Sequence, residues 1–491
     1  MIGRKNAQKA QRPEAGEAAT AVASARSRAY ARLSSRHRPP IFCAFLRPLL
    51  LACLALVPFA APSSAASAQL PNVILILADD LALGDLASLN GGRTRTPHLD
   101  RLIASGLWFD RATSASAVCA PARAALLTGR YPHRTGVVSL NMRTEPALTR
   151  LHRGETTLAD LFAVRGYRTG LVGKWHVGLG EDWHPRRRGF AEFAGFAGDD
   201  NIKSYDDYTL EIDGAPRRFT DRYLTDALTD RAIDFVRRHR TAPFFLHLAH
   251  YAPHRPLGAP AALVKTYTDR GFPENTATVY AMVEILDRGI GALLATLDEL
   301  GLRERTLVIF ASDNGPDPLA GPRFNHDRRG AKYDVFEGGI RVPLVFAWPG
   351  TLAPGRSEFP AHFTDLLPTL ADLCGLGRPA LQVDGVSFAA HLRGAPAPAA
   401  PVRYWQWNRA APNYTHNLAV RDGEWKLVRP PVTRNQTAGD STAAPALYHL
   451  PSDPAEATDL SARHPDRLAR LQAAADTWTA AIESDRTRPD R

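Results

Sequence analysis

The stretch NVILILADD, residues 72–80, decides the fold of this chain. Apart from Asn72, its first seven residues are apolar and rich in branched side chains, which is typical of a strand buried on both faces of a sheet. Comparable runs predict further strands at residues 169–172, 244–248, 306–311 and 344–347. Because Asp79 and Asp80 follow the first run directly, the pattern also predicts a polar site at the end of that strand.

Helical patterns lie between these runs, at residues 99–105, 122–128, 157–165, 221–239, 276–300 and 365–373. Strands that alternate with helices predict an α/β fold. We therefore expect a large central, mainly parallel but mixed sheet that is flanked by helices.

The composition of the sequence and the length of its predicted elements change after about residue 395. An Ala/Pro-rich linker pattern, GAPAPAAP, occupies residues 394–401, and short strand patterns follow at 418–421 and 425–429. One helical face then carries Leu468, Leu471, Ala475, Trp478 and Ile482. We predict a leader at 1–68, a catalytic domain at 69–395, a smaller C-terminal subdomain of antiparallel sheet plus helix at 396–485, and a tail at 486–491.

Composition and charge exclude two classes of protein. Of the 491 residues, 45% are hydrophobic and 22% charged, which excludes disorder over the whole length. The net charge of +10 suggests a nucleic-acid partner at first sight. Residues 1–68, however, hold 10 Lys/Arg against 2 Asp/Glu, and the rest of the chain is almost neutral. We therefore expect no nucleic-acid partner.

The leader has the pattern of a secretory signal peptide. A 13-residue apolar run at 49–61 follows several arginines and precedes the small residues Ala66-Ser67-Ala68. Cleavage after Ala68 would give a periplasmic or secreted protein, and no other run is long enough for a stable membrane span. Cleavage would leave Cys119 and Cys374, too few for a disulfide scaffold.

Two pairs of oxygen donors follow two buried strand patterns. Asp79-Asp80 comes after the first run, and Asp313-Asn314 comes after the run at 306–311. Adjacent carboxylates repel each other unless a cation lies between them. Carboxylate and amide oxygens suit a hard divalent ion, so the sequence predicts a Ca²⁺ or Mg²⁺ site.

The segment SAVCAPARAALLTGR, residues 116–130, predicts a helix that begins near Cys119. A helix N-terminus stabilises negative charge, and Arg123 lies one turn later on the same face. From the residues alone, this pattern indicates either an activated thiol or an anion-binding site.

Here the sequence resembles a known family. CAPAR followed by LLTGRYPHRTGV resembles the C-x-P-x-R signature of type I, formylglycine-dependent sulfatases in the alkaline phosphatase superfamily. Further similar motifs follow in order: GKWHVG (173–178), YAPHRP (251–256), ASDNG (311–315) and GAKYDVFEGGIRVP (330–343). The resemblance is to arylsulfatase-like and N-acetylgalactosamine-6-sulfatase-like members and covers nearly the whole mature chain.

The resemblance implies a complete set of site residues. A maturation enzyme would oxidise Cys119 to formylglycine, and Arg123 would stabilise its hydrate. Ca²⁺, with Mg²⁺ as the other possibility, would be held by Asp79, Asp80, Asp313, Asn314 and the modified residue 119. The side chains around the sulfate group would be Lys174, His176, His254 and Lys332.

The implied activity is hydrolysis of a sulfated carbohydrate or aryl sulfate to an alcohol and inorganic sulfate. His254 would protonate the leaving oxygen, and His176 would act as the base that frees sulfate. Two alternatives stay open: a phosphodiester or phosphonate monoester hydrolase on the same scaffold, and a non-catalytic protein that binds sulfated glycans. Asp199, Asp200 and Asn201 are candidate substrate contacts, whereas His98, His133 and His326 are interpreted as structural.

Overall fold

The run at 72–78 is the central strand of a ten-stranded sheet. A computed structural model of the protein describes residues 70–198, 202–430 and 443–487. The strands of this sheet are β1 (Asn72–Ala78), β2 (Leu107–Phe109), β3 (Arg168–Lys174), β4 (Glu192–Phe196), β5 (Tyr208–Ile212), β6 (Ala215–Phe219), β7 (Phe244–Ala249), β8 (Thr306–Ser312), β9 (Leu344–Ala347) and β10 (Gly355–Ser357).

The order of the strands brings all five predicted runs together. The sheet reads β10-β2-β9-β8-β1-β7-β3-β4-β5-β6. Strands β8, β1, β7, β3 and β4 are parallel to one another. Antiparallel pairs extend the sheet on both sides, and the outermost pair on one side, β10 with β2, is parallel. The predicted mainly parallel, mixed sheet is confirmed. Because the central strands run the same way, their carboxyl ends lie at one edge, where the site forms.

Side chains of β1 alternate between two hydrophobic layers. Val73, Leu75 and Leu77 belong to one cluster, and Ile74 and Ile76 belong to the cluster on the opposite face. This alternation explains why the run contains no exposed polar positions. The strand is buried on both faces, so each face must carry an apolar side chain.

Helices cover both faces of the sheet. They are α1 (Ala87–Asn90), α2 (Pro97–Ala104), α3 (Cys119–Thr128), α4 (Pro132–Thr135), α5 (Leu158–Val164), α6 (Leu224–Arg238), α7 (Ala261–Thr268), α8 (Glu274–Glu299), α9 (Glu337–Ile340), α10 (Leu366–Cys374), α11 (Ala389–Leu392) and α12 (Pro465–Arg486). Apolar residues of α3, α5 and α10 join the first layer, and those of α2, α6 and α8 join the second.

A second sheet follows the Ala/Pro-rich linker. It contains the antiparallel strands β11 (Arg403–Gln406), β12 (Leu418–Asp422), β13 (Trp425–Val428) and β14 (Ala446–His449) in that order. One face packs under α12, and the other packs against Ala117, Phe336 and Ile340 of the segments that build the site. Both sheets belong to one compact unit, and the domain boundaries at 395 and 485 stay predictions.

Most predicted elements agree with the structure to within about three residues at each end. No element was predicted for the remaining, mostly short ones: β2, β4, β5, β6, β10, β11, β14, α1, α4, α7, α9 and α11. The leader, its cleavage site and residues Asp199, Asp200 and Asn201 lie outside the described residues. Among the residues that are described, no helix is long and apolar enough to cross a membrane.

Candidate active site

The predicted acidic pairs meet because β1 and β8 are neighbours in register. Ala78 pairs with Ser312, so Asp79 and Asp313 leave the sheet side by side. The chain then turns sharply at Asp80, which has a positive φ of 65°, a conformation that non-glycine residues adopt mainly under local constraint. Its backbone N–H donates to Asp313 Oδ1 at 3.2 Å, which holds the turn in place.

Arg123 and Lys174 form ion pairs with Asp79 and Asp313. Lys174, at the end of β3, places Nζ 2.7 Å from Asp79 Oδ2. Arg123, one turn into α3, donates from Nε and Nη2 to Asp313 Oδ2 at 2.9 and 2.7 Å. Its Nη2 also lies 3.3 Å from Asp79 Oδ2. All four side chains are buried, so these ion pairs are poorly screened by solvent.

Asp80 has a different set of partners. Lys332 Nζ lies 2.8 Å from Asp80 Oδ2, and Asn314 Nδ2 donates to Oδ1 at 2.7 Å. His254 Nε2 is 3.6 Å from Oδ2 of the same carboxylate. The carbonyl of Arg255 accepts from His254 Nδ1, which therefore carries a proton and leaves Nε2 as the nitrogen that faces the acidic group.

Cys119 lies inside this cluster. It is the first residue of α3 and is 1% exposed. Its sulfur and the ligand atoms of Asp79, Asp80 and His254 all lie within 4.8 Å of one another. Burial raises the pKa of the Cys119 thiol well above its usual range, and the negative charge of Asp79 adds to the shift. The surroundings therefore do not favour the activated thiolate that was one of the two interpretations of this helix start.

The charges of the cluster balance without any ligand. Three buried carboxylates face three buried cations: Asp79, Asp80, Asp313, Arg123, Lys174 and Lys332. Lys174, His254 and Arg123 hold the pKa of Asp79 well below its usual range against the opposing effect of burial. Burial and the charge of Asp79 raise the pKa of Asp313 to about 7. Such repulsion between neighbouring carboxylates is relieved when a divalent cation binds, and the site then becomes positive enough to hold an anion.

Two buried oxygens fit a cation. Asp79 Oδ1 and Asn314 Oδ1 are enclosed and accept no hydrogen bond from any donor in the described parts of the chain. Buried acceptors without a donor are rare and call for an explanation. Oxygen donors of this type are those that Ca²⁺ and Mg²⁺ prefer, so the residues present fit such an ion.

His176 is placed by a different set of contacts. It follows β3 with a positive φ of 61°, and its backbone N–H donates to the carbonyl of Ala197. Its Nε2 lies 3.3 Å from the carbonyl oxygen of Leu140. Leu140 packs against a small cluster of Tyr333, Trp407 and Val118, the residue before Cys119. Since a carbonyl only accepts, Nε2 carries the proton and Nδ1 is the basic nitrogen.

His254 has its own supporting residues, which sequence reasoning missed. The hydroxyl of Tyr205 lies 3.0 and 2.9 Å from the carbonyl oxygens of Tyr251 and His254, so it ties their loop to the sheet edge. The Tyr251 ring stacks at 4.7 Å against the His254 ring. Arg255 donates to Asp317 at 2.7 Å. Tyr251 and Arg255 lie in the YAPHRP motif, but nothing in the sequence around Tyr205 indicates this role.

Burial and the charge of Lys332 lower the pKa of His254.

The three histidines interpreted as structural have contacts elsewhere. His133 Nε2 pairs with Gln406 at 2.9 Å, and burial lowers its pKa to about 4. His98 contacts Arg101, and the His326 ring packs near Phe324.

Comparison with known proteins agrees with this geometry. A family model described as Sulfatase matches residues 71–376. Arylsulfatase A of Bos taurus is 33% identical over 418 residues, which cover 78% of this chain and 79% of the relative. N-acetylgalactosamine-6-sulfatase of Canis lupus familiaris is 31% identical over 467 residues, which cover 85% and 87%.

A solved structure extends the likeness to three dimensions. The crystal structure of Ps i-CgsB in complex with k-i-k-neocarrahexaose superposes with a TM-score of 0.73 at 29% identity, over 86% of this chain and 95% of that one. The chain therefore belongs to the sulfatase family and is a sulfuric ester hydrolase.

Proposed function

We propose that the protein is a formylglycine-dependent, Ca²⁺-binding sulfatase that acts on sulfated carbohydrates or aryl sulfates outside the cytoplasm. The observation that carries this proposal is the buried cluster of three carboxylates, three cations and Cys119. The inert environment of the thiol supports a role for residue 119 after chemical modification and argues against a role as a plain cysteine nucleophile.

Two groups would complete the site. Asp79, Asp80, Asp313, Asn314 and residue 119 would hold Ca²⁺, with Mg²⁺ as the alternative ion, and Arg123 would steady the modified residue. When bound, the ion supplies Lewis-acid stabilisation of anionic oxygens, and the hydrated formylglycine supplies a nucleophilic hydroxyl. The side chains of the chain itself then do the binding and the proton transfers.

Lys174 and Lys332 bind the sulfate group. Both ammonium groups are buried at the acidic cluster, where a cation is worth more than it is in water. Their positive charges neutralise the anionic oxygens of the ester and hold its sulfur next to residue 119. Because the two lysines approach from β3 and from the loop before α9, they contact the ester from two sides.

His254 donates the proton to the leaving oxygen. Its Nε2 faces the cluster while Nδ1 is fixed on a backbone carbonyl, so the ring can deliver a proton from one nitrogen only. An anionic sulfate ester beside the ring favours its protonated form. His176 is the base for the step that frees sulfate, since the contact of its Nε2 with the Leu140 carbonyl makes Nδ1 the basic nitrogen of the ring.

We assign the alcohol part of the substrate to a cavity of about 670 Å³ that is lined by Gly178, Gly180, His184, Arg186 and Glu211 among others. Ala197 also lines this cavity, and its carbonyl accepts a hydrogen bond from the backbone N–H of His176. Hydrogen-bonding side chains of this kind suit the hydroxyl groups of a sugar. The relatives' printed activities, on aryl sulfates and N-acetylgalactosamine 6-sulfate, and the neocarrahexaose of the structural neighbour support the same class of substrate.

Export is the part of the proposal that depends on sequence alone. The apolar run at 49–61 and the Ala66-Ser67-Ala68 site support a signal peptide, which would place the protein in the periplasm or outside the cell. N-terminal sequencing of protein recovered from the periplasm or medium should begin at Gln69.

Mass spectrometry of the tryptic peptide that contains residue 119 tests the central claim. Protein co-expressed with a formylglycine-generating enzyme should carry the aldehyde and release sulfate from an aryl sulfate. Protein made without it should carry cysteine and be inactive. Equal activity of the two preparations, or faster turnover of a phosphonate monoester than of the sulfate, would contradict the proposal.

A further inference from the structure

A small cationic pocket lies away from the site described above, where the segment before α9 meets the second sheet. We call it the arginine pocket. Its volume is about 90 Å³, and its lining consists of Arg111, Arg328, Glu337, Arg341, Arg421, Leu450, Pro451 and Pro454. Four guanidinium groups and one carboxylate therefore line it, an excess of three positive charges.

The one carboxylate in the lining is already engaged. Arg341 Nη1 donates to Glu337 Oε2 at 2.7 Å, and Lys426 Nζ lies 3.0 Å from Oε1. The next acidic group, Glu456, pairs with Lys426 at 2.9 Å and accepts from the backbone N–H of Glu337. Both glutamates therefore have their hydrogen-bonded ion pairs with Arg341 and Lys426, and in the described part of the chain neither forms a hydrogen bond or ion pair with Arg421 or Arg328.

Arg421 lines this pocket and has an unused donor. The residue is 4% exposed, and its Nε donates to the carbonyl of Gly423. Its Nη1 is buried and meets no acceptor in the described residues. The Nε of Arg328 is likewise buried without an acceptor there. Two unused guanidinium donors in one pocket point to a missing anionic partner.

Electrostatics agree with this geometry. Burial lowers the pKa of Arg421, and the positive charges of Arg111 and Arg328 lower it further against the opposing charge of Glu337. Burial, with Arg328 and Arg421 acting against Glu337, lowers the pKa of Arg341 to about 9. Outside the lining, Glu358 pairs with Arg111 and removes one of the three excess positive charges. Lys426 and Glu456 neutralise each other, so an excess of two positive charges is left.

We propose that the arginine pocket binds a small tetrahedral oxyanion, such as inorganic sulfate or phosphate. Its size suits such an ion, and exposed Pro451 and Pro454 form a mouth open to solvent. Arg421 belongs to β12, and Arg328 belongs to the loop that also carries Lys332. A bound anion therefore joins the second sheet to the loop that supplies a side chain to the catalytic cluster.

Selenate, a tetrahedral anion with anomalous scattering, locates the site directly. Crystals soaked in selenate should show an anomalous peak within hydrogen-bonding distance of Arg421 Nη1, besides any peak at the catalytic cluster. A peak at the catalytic cluster alone would overturn the proposal. The position of the peak separates this outcome from any result on sulfate ester hydrolysis.

Calorimetric titration with sulfate, at constant ionic strength, tests the residues. Arg421→Gln should weaken this binding event at least tenfold, whereas Arg470→Gln, an exposed arginine of α12 paired with Asp422, should leave it unchanged. Since Arg421 is buried, the half-buried Arg328→Gln carries the same test if the first variant does not fold. Unchanged binding in folded Arg328→Gln and Arg421→Gln proteins would overturn the proposal. Phosphate is titrated in parallel. Binding of both anions would indicate a general oxyanion site, and binding of sulfate alone would indicate a site selective for the reaction product; either result supports the proposal that the arginine pocket binds an oxyanion.

Discussion

At the scale of the residue, the surroundings of Cys119 disfavour a thiolate. The sulfur lies within 4.8 Å of ligand atoms of Asp79 and Asp80, and burial, together with the charge of Asp79, opposes its ionisation. A neutral thiol is a weak nucleophile and a poor ligand for a hard cation. An oxygen atom at the same position would be suited both to nucleophilic attack and to binding a hard cation.

Cys119→Ala should fold and lose turnover by on the order of 10⁴-fold or more, because the nucleophile is removed while the charges of the site stay. The measurement is sulfate release by protein co-expressed with a maturation enzyme, with circular dichroism as a check on folding. Cys374→Ala, which alters the second buried cysteine, is the matched control and should keep full activity. Activity of Cys119→Ala within tenfold of wild type would rule out the formylglycine mechanism.

His254→Ala should slow esters of poor leaving groups by roughly 10²–10⁴-fold, the usual contribution of a general acid. Esters of acidic phenols should be affected much less, since their oxygen leaves without a proton. The rate should therefore depend more steeply on leaving-group pKa than it does in wild type. In His176→Ala, a burst of one equivalent of phenol followed by slow turnover is expected instead. An identical slope for His254→Ala and wild type would assign the acid elsewhere.

Glu155 gives a pH-dependent prediction outside the site. Burial raises its pKa to about 7 although Arg130 lies 3.2 Å away. The folded protein thus binds this proton more tightly than the unfolded chain, so stability is lost as pH rises from about 4.5 to 7. The free energy of unfolding of Glu155→Gln, taken relative to that of wild type, should therefore rise by on the order of 2–3 kcal/mol between pH 5 and pH 8.

Denaturant unfolding at both pH values measures this gain. Glu181→Gln, at an exposed position, is the control and should show no such trend. A Glu155→Gln protein whose stability relative to wild type falls between pH 5 and pH 8 would reverse the assigned sign.

At the scale of the element, a buried ion-pair cluster fastens α9 to the second sheet. Lys426 of β13 pairs with Glu337 of α9 and with Glu456, and all three are nearly inaccessible. Helix α9 follows Lys332 by four residues, so this cluster also restrains a cation of the site. A helix of one turn has little stability of its own and depends on such contacts.

Lys426→Met should destabilise the protein by about 3–5 kcal/mol, because two buried carboxylates lose their shared cation. Lys265→Met, which breaks an exposed pair with Asp269, should cost less than about 1 kcal/mol. Thermal or denaturant unfolding measures both. Equal effects of the two substitutions would mean that burial of the cluster adds nothing to its strength.

Sequence patterns predicted the central elements well and the edges poorly. The run at 72–78 matches β1 because a strand buried on both faces needs an apolar residue at every position. Strand β6 has no such pattern, since four of its five side chains are exposed and it is held by backbone pairing with β5 and a few side-chain contacts such as Phe219 on Tyr208. The acidic pairs were predictable from their place after buried strands, whereas Tyr205 acts through a hydroxyl whose target lies in a loop about 46 residues later.

At the scale of the whole molecule, the cation is expected to contribute to stability as well as to catalysis. A ligand that binds only the folded protein stabilises it by about 2.7 kcal/mol at a hundredfold excess over its Kd. Chelation followed by dialysis should therefore abolish activity and lower Tm, and Ca²⁺ should restore both. Comparison with Mg²⁺ identifies the preferred ion.

Asp313→Ala serves as the matched variant for that experiment. Removal of one anionic oxygen should weaken Ca²⁺ binding by at least about 10- to 100-fold, the range seen even for outer partners of a metal site. Its Tm should consequently respond little to chelator. Full activity of wild type in excess chelator would contradict the assignment of a metal.

The place of β1 in the sheet also governs how the chain folds. Its neighbours β7 and β8 come about 172 and 234 residues later, so the central pairings close very long loops. Proteins dominated by such distant contacts fold slowly. Cys119 is synthesised early and buried only when these pairings form, which leaves a period in which a modifying enzyme can still reach it. If residue 119 is modified as proposed, folding speed sets an upper limit on the yield of modified protein, and a variant that folds faster should carry more unmodified cysteine.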